Sequence, residues 1–177
     1  MEFRMEEVFL TEPSKKYKNE FSQMVQDYHN HGEIEKFDIL KVALRNFESY
    51  TKVLIENSKG IELPEGWVPC CTYWLVNNHK ILGTIRVRKE LNSEFLKNIG
   101  GHIGYDITPS ERRKGYGKLI LKLGLKEARL MKLSPILVTC KTDNYASAKI
   151  IEKNGGVFDS EILDKSSNQF FKRYWIY

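Results

Sequence analysis

Long apolar runs are missing from this chain of 177 residues. With them goes the means to cross a membrane as a helix, which takes about 18 or more consecutive apolar residues. The opening Met1-Glu2-Phe3-Arg4-Met5-Glu6-Glu7 is too acidic and polar for a signal peptide, so the sequence predicts a cytoplasmic protein with no membrane partner. Cysteine is scarce. Cys70, Cys71 and Cys140 form no metal-spaced set, and vicinal cysteines pair poorly with each other, which leaves reduced core thiols; Cys140, near a strand end, has a nucleophilic reading beside the structural one. His29 and His31 stand together without a cysteine or third histidine near them in sequence, so no metal is predicted. Repeats and low-complexity linkers are also lacking, and one domain over residues 1–177 is expected. Nor is charge of one sign concentrated: the formal net charge of +5 is dispersed over helices with acidic residues among the basic ones, which argues against a nucleic-acid partner.

What the chain does have is a core-forming share of apolar residues, 41%, and one informative junction. His102-Ile103-Gly104-Tyr105-Asp106-Ile107-Thr108 is rich in β-branched and aromatic residues and is stopped by Pro109, the pattern of a strand end. From Tyr116 onward, Leu119, Ile120, Leu123 and Leu130, with Leu121, Leu125 and Ala128, recur at helical spacing beside a stripe of Lys118, Lys122, Lys126 and Arg129, which predicts a helix with one wet edge. Between them lies Ser110-Glu111-Arg112-Arg113-Lys114-Gly115. A helix start offers free N–H groups and the positive end of the dipole. Gly115 and Gly117 let main chain approach an anion closely, and Arg112, Arg113 and Lys114 supply positive charge, so the turn is built for a diphosphate. The same turn also suits nucleic-acid phosphate, with a steep salt dependence as its signature.

Arg112-x-x-Gly115-x-Gly117, preceded by Ile107-Thr108-Pro109, resembles the Arg/Gln-x-x-Gly-x-Gly/Ala signature of the Gcn5-related N-acetyltransferases. Downstream, Pro135-Ile136-Leu137-Val138-Thr139-Cys140 reads as a buried strand, followed by Asn144 and a helical run that ends at Asn154-Gly155-Gly156, as in that family. The resemblance covers about residues 68–177. It implies an α/β (α+β) acyl-CoA N-acyltransferase fold, a mixed, mostly antiparallel sheet with helices on both faces. It also implies acetyl-CoA as co-substrate and a small-molecule or peptide amine as acceptor. By the same resemblance, backbone groups of Tyr105 and Ile107 would pair with the pantetheine arm. The turn of Arg112, Arg113, Lys114, Gly115, Tyr116, Gly117 and Lys118 would hold the diphosphate, and Asn144 and Ser147 would contact the pantetheine, though both also suit a helix cap. On this reading Gly117→Glu should block coenzyme A and leave the fold intact.

The pattern departs from the family at Ile151, where many members carry a tyrosine that protonates the departing thiolate. Tyr145 is the nearest tyrosine in sequence and is taken as candidate acid, with a half-exposed packing residue as its other reading. His102 is the candidate base, since an imidazole suits proton abstraction near neutral pH, and a structural strand histidine is its alternative; Asp106 is second. The missing tyrosine also supports a different class of function, an acetyl-CoA-binding sensor or degenerate member without turnover. Acceptor contacts are sought in Glu33 and Glu35, Trp67, Tyr73, Trp74 and Tyr174-Trp175, which suit a cationic amine or else a solvated loop and core.

Elsewhere the periodicity predicts a strand at 6–10, a helix from Pro13 to about Tyr28 closed by Gly32, and a helix from about Asp38 to Asn57. A hairpin of 68–76 and 80–88 joined at Asn77-Asn78, a helical turn at 93–98, and strands at 157–163 and 170–177 complete the series. The apolar C-terminal strand is read as a sheet edge through which a homodimer could form.

Overall fold

A computed structural model describes residues 7–177. The strands are β1 (Phe9–Thr11), β2 (Cys70–Val76), β3 (Ile81–Arg88), β4 (Ile103–Ile107), β5 (Ile136–Lys141), β6 (Val157–Asp164) and β7 (Gln169–Ile176). The helices are α1 (Lys18–Asn30), α2 (Ile34–Lys41), α3 (Phe47–Ser58), α4 (Tyr116–Leu130) and α5 (Tyr145–Lys153). Side chains alternate across each strand, and the sheet therefore separates two cores. On one face Leu75, Ile85, Val87, Ile103 and Ile107 meet Ile120, Leu121 and Leu125 of α4 and Ile151 of α5. On the other, Trp74, Val76 and Ile81 meet Phe21, Met24, Val25 and Tyr28 of α1 and Phe47 of α3. The result is the expected sheet with helices on both faces.

The sheet is seven-stranded in the order β1-β2-β3-β4-β5-β7-β6. Every neighbouring pair is antiparallel except β4 and β5. Those two run parallel and meet only where Ile103 stands beside Val138, so they diverge toward the end of β4.

Three expectations change. The helix predicted over Asp38–Asn57 is broken into α2, a 3-10 segment at Val42–Asn46, and α3. Asn46 causes the break: its side-chain oxygen accepts from Ser49 N–H at 3.1 Å and starts a new helix, a competition that apolar periodicity does not register. The first strand is Phe9–Thr11, and Glu6, where it was expected to begin, lies outside the described residues, as does most of the N-terminal segment. The C-terminal strand is not an edge. β7 is paired on both sides, by β5 and β6, and Tyr174 and Ile176 are each only 1% exposed. Of the apolar residues that suggested a dimer edge, Tyr174 and Ile176 fill the core while Phe170 and Tyr177 stay exposed, and β6 forms that end of the sheet.

Candidate active site

The antiparallel pairing of β3 with β4 decides which backbone groups of β4 are free. Arg88 N–H donates to His102 O at 2.8 Å and Thr108 N–H to Leu82 O at 3.0 Å. In an antiparallel ladder these exchanges recur at every second residue, so the even-numbered residues of β4 point their backbone groups at β3. Ile103, Tyr105 and Ile107 point theirs toward β5. Ile103 sits at the one bridge to β5; beyond it, Tyr105 and Ile107 face an opening. The Ile107 carbonyl is taken by Arg112, whose Nε donates to it at 2.9 Å. Among the described residues, nothing in the protein pairs with the Tyr105 N–H and C=O or the Ile107 N–H.

The opening leads to the turn before α4. Gly115 has φ 89 and ψ −9, and Arg113 also has positive φ, 61. Left-handed residues in such a turn can bring successive N–H groups to one side, the geometry of an anion-binding concavity. Among the described residues, the N–H groups from Arg113 through Lys118 donate to no protein acceptor, and the first closed bond of α4 runs from Leu119 N–H to Gly115 O at 3.2 Å. Only part of that run is the ordinary deficit of a helix start; the nest residues extend it upstream.

The two glycines do different jobs. A Cβ on Gly115 would meet nothing within 4 Å, so the residue is needed for its left-handed backbone, a conformation costly for other residues. A Cβ on Gly117 would lie 2.6 Å from Ile150 Cδ1. Gly117 therefore lets α4 pack against α5, and Gly117→Glu would disturb packing as well as any anion, contrary to the expectation of an intact fold.

The side-chain cations separate as well. Arg112 turns to the face of the sheet that carries α1, where it pairs with Glu33 (Nη1–Oε1 2.5 Å, Nη2–Oε2 3.1 Å) and with Asp106 at 3.4 Å. It does not reach the cradle. Lys114 bonds Glu111 at 2.9 Å, and Lys80 bonds the other oxygen of the same carboxylate at 2.8 Å. Burial alone would raise the Glu111 carboxyl, but the bonds from the two lysines outweigh it and hold it below its ordinary value. Arg113 and Lys118 are exposed beside the free amides. Tyr116 contributes its N–H and packs its ring on the core.

Across the opening, Tyr105 Oη and Ser147 Oγ are 2.9 Å apart, joining β4 to α5. Burial pushes the Tyr105 phenol up to about 12, so it is protonated at neutral pH. Burial likewise pushes the Cys140 thiol up, which suits a structural thiol better than a nucleophile. Asn144 caps α5, its side-chain oxygen accepting from Ser147 N–H at 3.0 Å. Tyr145 stands at the first turn of α5 and is 70% exposed; Ile151 is wholly buried. His102 has a structural partner: Leu137 N–H donates to its Nδ1 at 2.9 Å. In that tautomer the proton sits on Nε2 and the ring has no free lone pair. Burial, reinforced by Arg88, pushes its pKa down, which keeps the ring neutral. Asp106 lies on the opposite side of β4, beside Lys36 at 3.3 Å and Arg112, where burial first and its charge second push the Tyr28 phenol up.

Of the acceptor candidates, Trp74 and Tyr174 are core, Glu33 is engaged by Arg112, and Trp67 is exposed. The buried Glu111 and the Tyr105 phenol escaped the sequence reading. For Glu111 the signal was weak, a carboxylate three residues before a lysine; for Tyr105 there was none, because its partner is distant in sequence. Among the described residues, no group of three or more His, Cys, Asp or Glu could hold a metal ion, and no helix is long and apolar enough to cross a membrane.

This architecture recurs in solved structures. Mycobacterium smegmatis RimJ, solved with CoA-disulfide, superposes with a TM-score of 0.69 at 13% identity, covering 96% of this chain and 81% of that one. A ribosomal-protein-S5-alanine acetyltransferase from Vibrio fischeri gives 0.67 at 16% identity, covering 99% and 94%. The microcin C7 self immunity acetyltransferase MccE, solved with acetyl-CoA and AMP, gives 0.63 at 14%, covering 96% and 91%. At such identities the likeness shows the fold alone. No curated protein matches the chain by sequence at a significant level. The sequence model of the acetyltransferase (GNAT) domain, however, matches residues 20–157. That span holds the cradle, the diverging strands and both flanking helices, and it places this chain in the GNAT acetyltransferase family.

Proposed function

We propose that the chain transfers the acetyl group of acetyl-CoA to a primary amine by direct attack within a ternary complex. The observation that carries this reading is the opening between β4 and β5, whose unpaired Tyr105 and Ile107 backbone groups run toward the free amides of the turn. The strand edge suits an amide-bearing arm such as pantetheine, added as a further strand would be. The N–H groups from Arg113 to Lys118 suit the diphosphate, with Arg113 and Lys118 adding charge. Asn144, its oxygen spent on the cap, retains its NH₂ for the arm.

Most of the rate would come from positioning, since the amine attacks a carbonyl already activated as a thioester. As the C–N bond forms and the C–S bond breaks, the leaving sulfur takes a proton. The Tyr105 phenol, protonated at neutral pH and relayed to Ser147, is the best-placed donor, ahead of the exposed Tyr145. The amine loses its proton to water. His102, its Nδ1 lone pair engaged, positions β4 against β5 rather than serving as base.

A second reading, acetyl-CoA binding without turnover, is favoured by Ile151, buried where the family tyrosine would stand. Calorimetric titration with acetyl-CoA, followed by thiol release across a panel of amines, separates the two. Saturable binding with amine-dependent release supports transfer, and binding without release supports a sensor. Absence of binding overturns both.

A further inference from the structure

On the face of the sheet that carries α1 and α3, a cavity of about 370 Å³ lies over β2 and β3. Its floor follows from register: Cys70 and Thr72 of β2 stand opposite Arg88 and Arg86 of β3, and Arg86 stands opposite Gly104 of β4. Leu54 and Asn57 of α3 close one side, and Trp67 and Phe95 border it while remaining 63% and 57% exposed.

The charge in this cavity is unbalanced. Among the described residues, none of those that line it is acidic. Elsewhere Lys80 and Lys114 share Glu111, Arg112 takes Glu33, and Arg173 takes Asp159 at 2.8 Å, whereas Arg86 is exposed at the cavity. Arg86 and Arg88 are neighbours on one strand face, and among the described residues neither pairs with a carboxylate. Arg88 is steadied by two carbonyls, its Nη1 donating to Gly100 O and Gly101 O at 3.2 Å each. Arg86 donates to none among the described residues. Two adjacent guanidinium groups facing a cavity without acid are suited to an oxyanion, which they can grip bidentately. Large exposed aromatic faces beside them suit a flat apolar body.

Gly104 links this cavity to the chemistry. It lies across the ladder from Arg86 and precedes Tyr105, whose backbone faces the opening, so a molecule seated over Arg86 is one strand away from the opening. We propose that the cavity recognises the acceptor and selects an amine that carries an anionic group, carboxylate or phosphate, on a flat apolar body. Arg86 is then a specificity-determining residue. The inference rests on the acetyl-transfer reading above.

Matched amines test it. Thiol release from acetyl-CoA is measured with 4-(aminomethyl)benzoate against 4-(aminomethyl)benzamide, and with 4-(aminomethyl)phenyl phosphate against 4-(aminomethyl)phenol. The expected result is a kcat/KM about tenfold or more higher for the anionic member of at least one pair, the scale of one charge-assisted hydrogen bond; the pair that responds tells carboxylate from phosphate. Arg86→Gln should erase most of that preference through KM and leave the neutral amines nearly unchanged, and Arg86→Glu should reverse it. A readout independent of turnover is the fluorescence of Trp67, which the anionic amines should alter saturably in the native protein and not in Arg86→Gln, with Trp67→Phe as the control. Equal use of both members of each pair, together with no Trp67 response, overturns the inference. If acetyl-CoA still binds in that case, the acetyl-transfer reading survives it. If acetyl-CoA does not bind, that reading falls while the Trp67 titration still decides the cavity.

Discussion

Alanine at Gly115 and at Gly117 should produce opposite phenotypes, although both glycines belong to one short signature. At Gly115 an added Cβ has open space, so the cost is conformational: holding an L-residue in the left-handed region takes about 1–2 kcal/mol. The cheapest relief is rotation of the peptides around residue 115, which turns N–H groups out of the cradle. A hydrogen bond to a charged group is worth about 1.5–3 kcal/mol, so loss of one donor predicts coenzyme A affinity about 10–100-fold weaker. At Gly117 the backbone needs no special φ, and the added Cβ would stand 2.6 Å from Ile150 Cδ1. Overpacking of this kind costs about 1–3 kcal/mol. For a chain of this size that lowers Tm by about 2–4 °C per kcal/mol, with affinity changed less than about threefold, under 1 kcal/mol. Ile150→Val removes the clashing carbon and should restore much of the lost stability in the Gly117→Ala background. Calorimetric titration with coenzyme A and thermal unfolding, run on the same preparations, give both axes. A folded Gly115→Ala protein with native affinity would refute the assignment of the amides to the diphosphate. A Gly117→Ala defect that Ile150→Val leaves untouched would refute the packing argument.

Tyr105→Phe should leave coenzyme A affinity unchanged and lower single-turnover thiol release about 100-fold, the low end for a general acid because coenzyme A thiolate leaves readily; an unchanged rate removes the phenol from the proton path. His102 is held below its ordinary value of 6.5 in the folded chain, so its contribution to stability is complete above that pH and declines as pH falls through it toward the folded value. Urea midpoints should therefore drop in mildly acidic buffer, and more shallowly in His102→Gln; parallel pH profiles for the two proteins would contradict this. Glu111, held below its ordinary value by Lys80 and Lys114, stabilises above about pH 4.3, the unfolded carboxyl value, and that contribution is lost as pH falls through the folded value. Glu111→Gln should cost about 1–2 kcal/mol, discounted because both lysines are half-exposed, and a urea midpoint equal to native would show that the carboxylate carries no such load.

The strand-turn-helix unit from Ile103 to Leu130 was legible because its signals are local: a proline stop, a glycine of positive φ, and a helical stripe. Tyr105 and Ile107 were readable as strand residues, but which way their backbones face depends on the pairing of β4 with β3, and no residue of β4 encodes that alone. His102 looked like a base because residue type was all that could be seen; the N–H of Leu137 that occupies its lone pair comes from a strand far along the chain. The cavity's two arginines were visible as every second residue of β3, yet their significance is the lack of carboxylates around them among the described residues, and an absence assembled from three elements has no sequence signature. The break at Asn46 is different in kind. An asparagine within an apolar period is a readable cap signal, and the strength of the periodicity masked it.

Arg112 is where motif position and side-chain use come apart. It holds the first place of the diphosphate signature, but its guanidinium lies on the far face of β4, with Nε on the Ile107 carbonyl and both Nη atoms on Glu33. The side chains of this pair are 41% and 34% exposed, so the salt bridge itself is worth only about 1 kcal/mol or less. The geometry does more than the energy suggests. One planar group satisfies the carbonyl that ends β4, anchors the turn to the residue before α2, and so fixes where the free amides begin. If that bracing is the role, charge without the fork is not enough: Arg112→Lys keeps the cation but cannot make the bidentate pair and the carbonyl bond together. Affinity for coenzyme A should then fall about tenfold, one lost bond to a charged group, and to the same degree at low and high salt. If the charge itself drew the diphosphate, the lysine variant would bind normally, and its affinity would weaken with salt as the native protein's does.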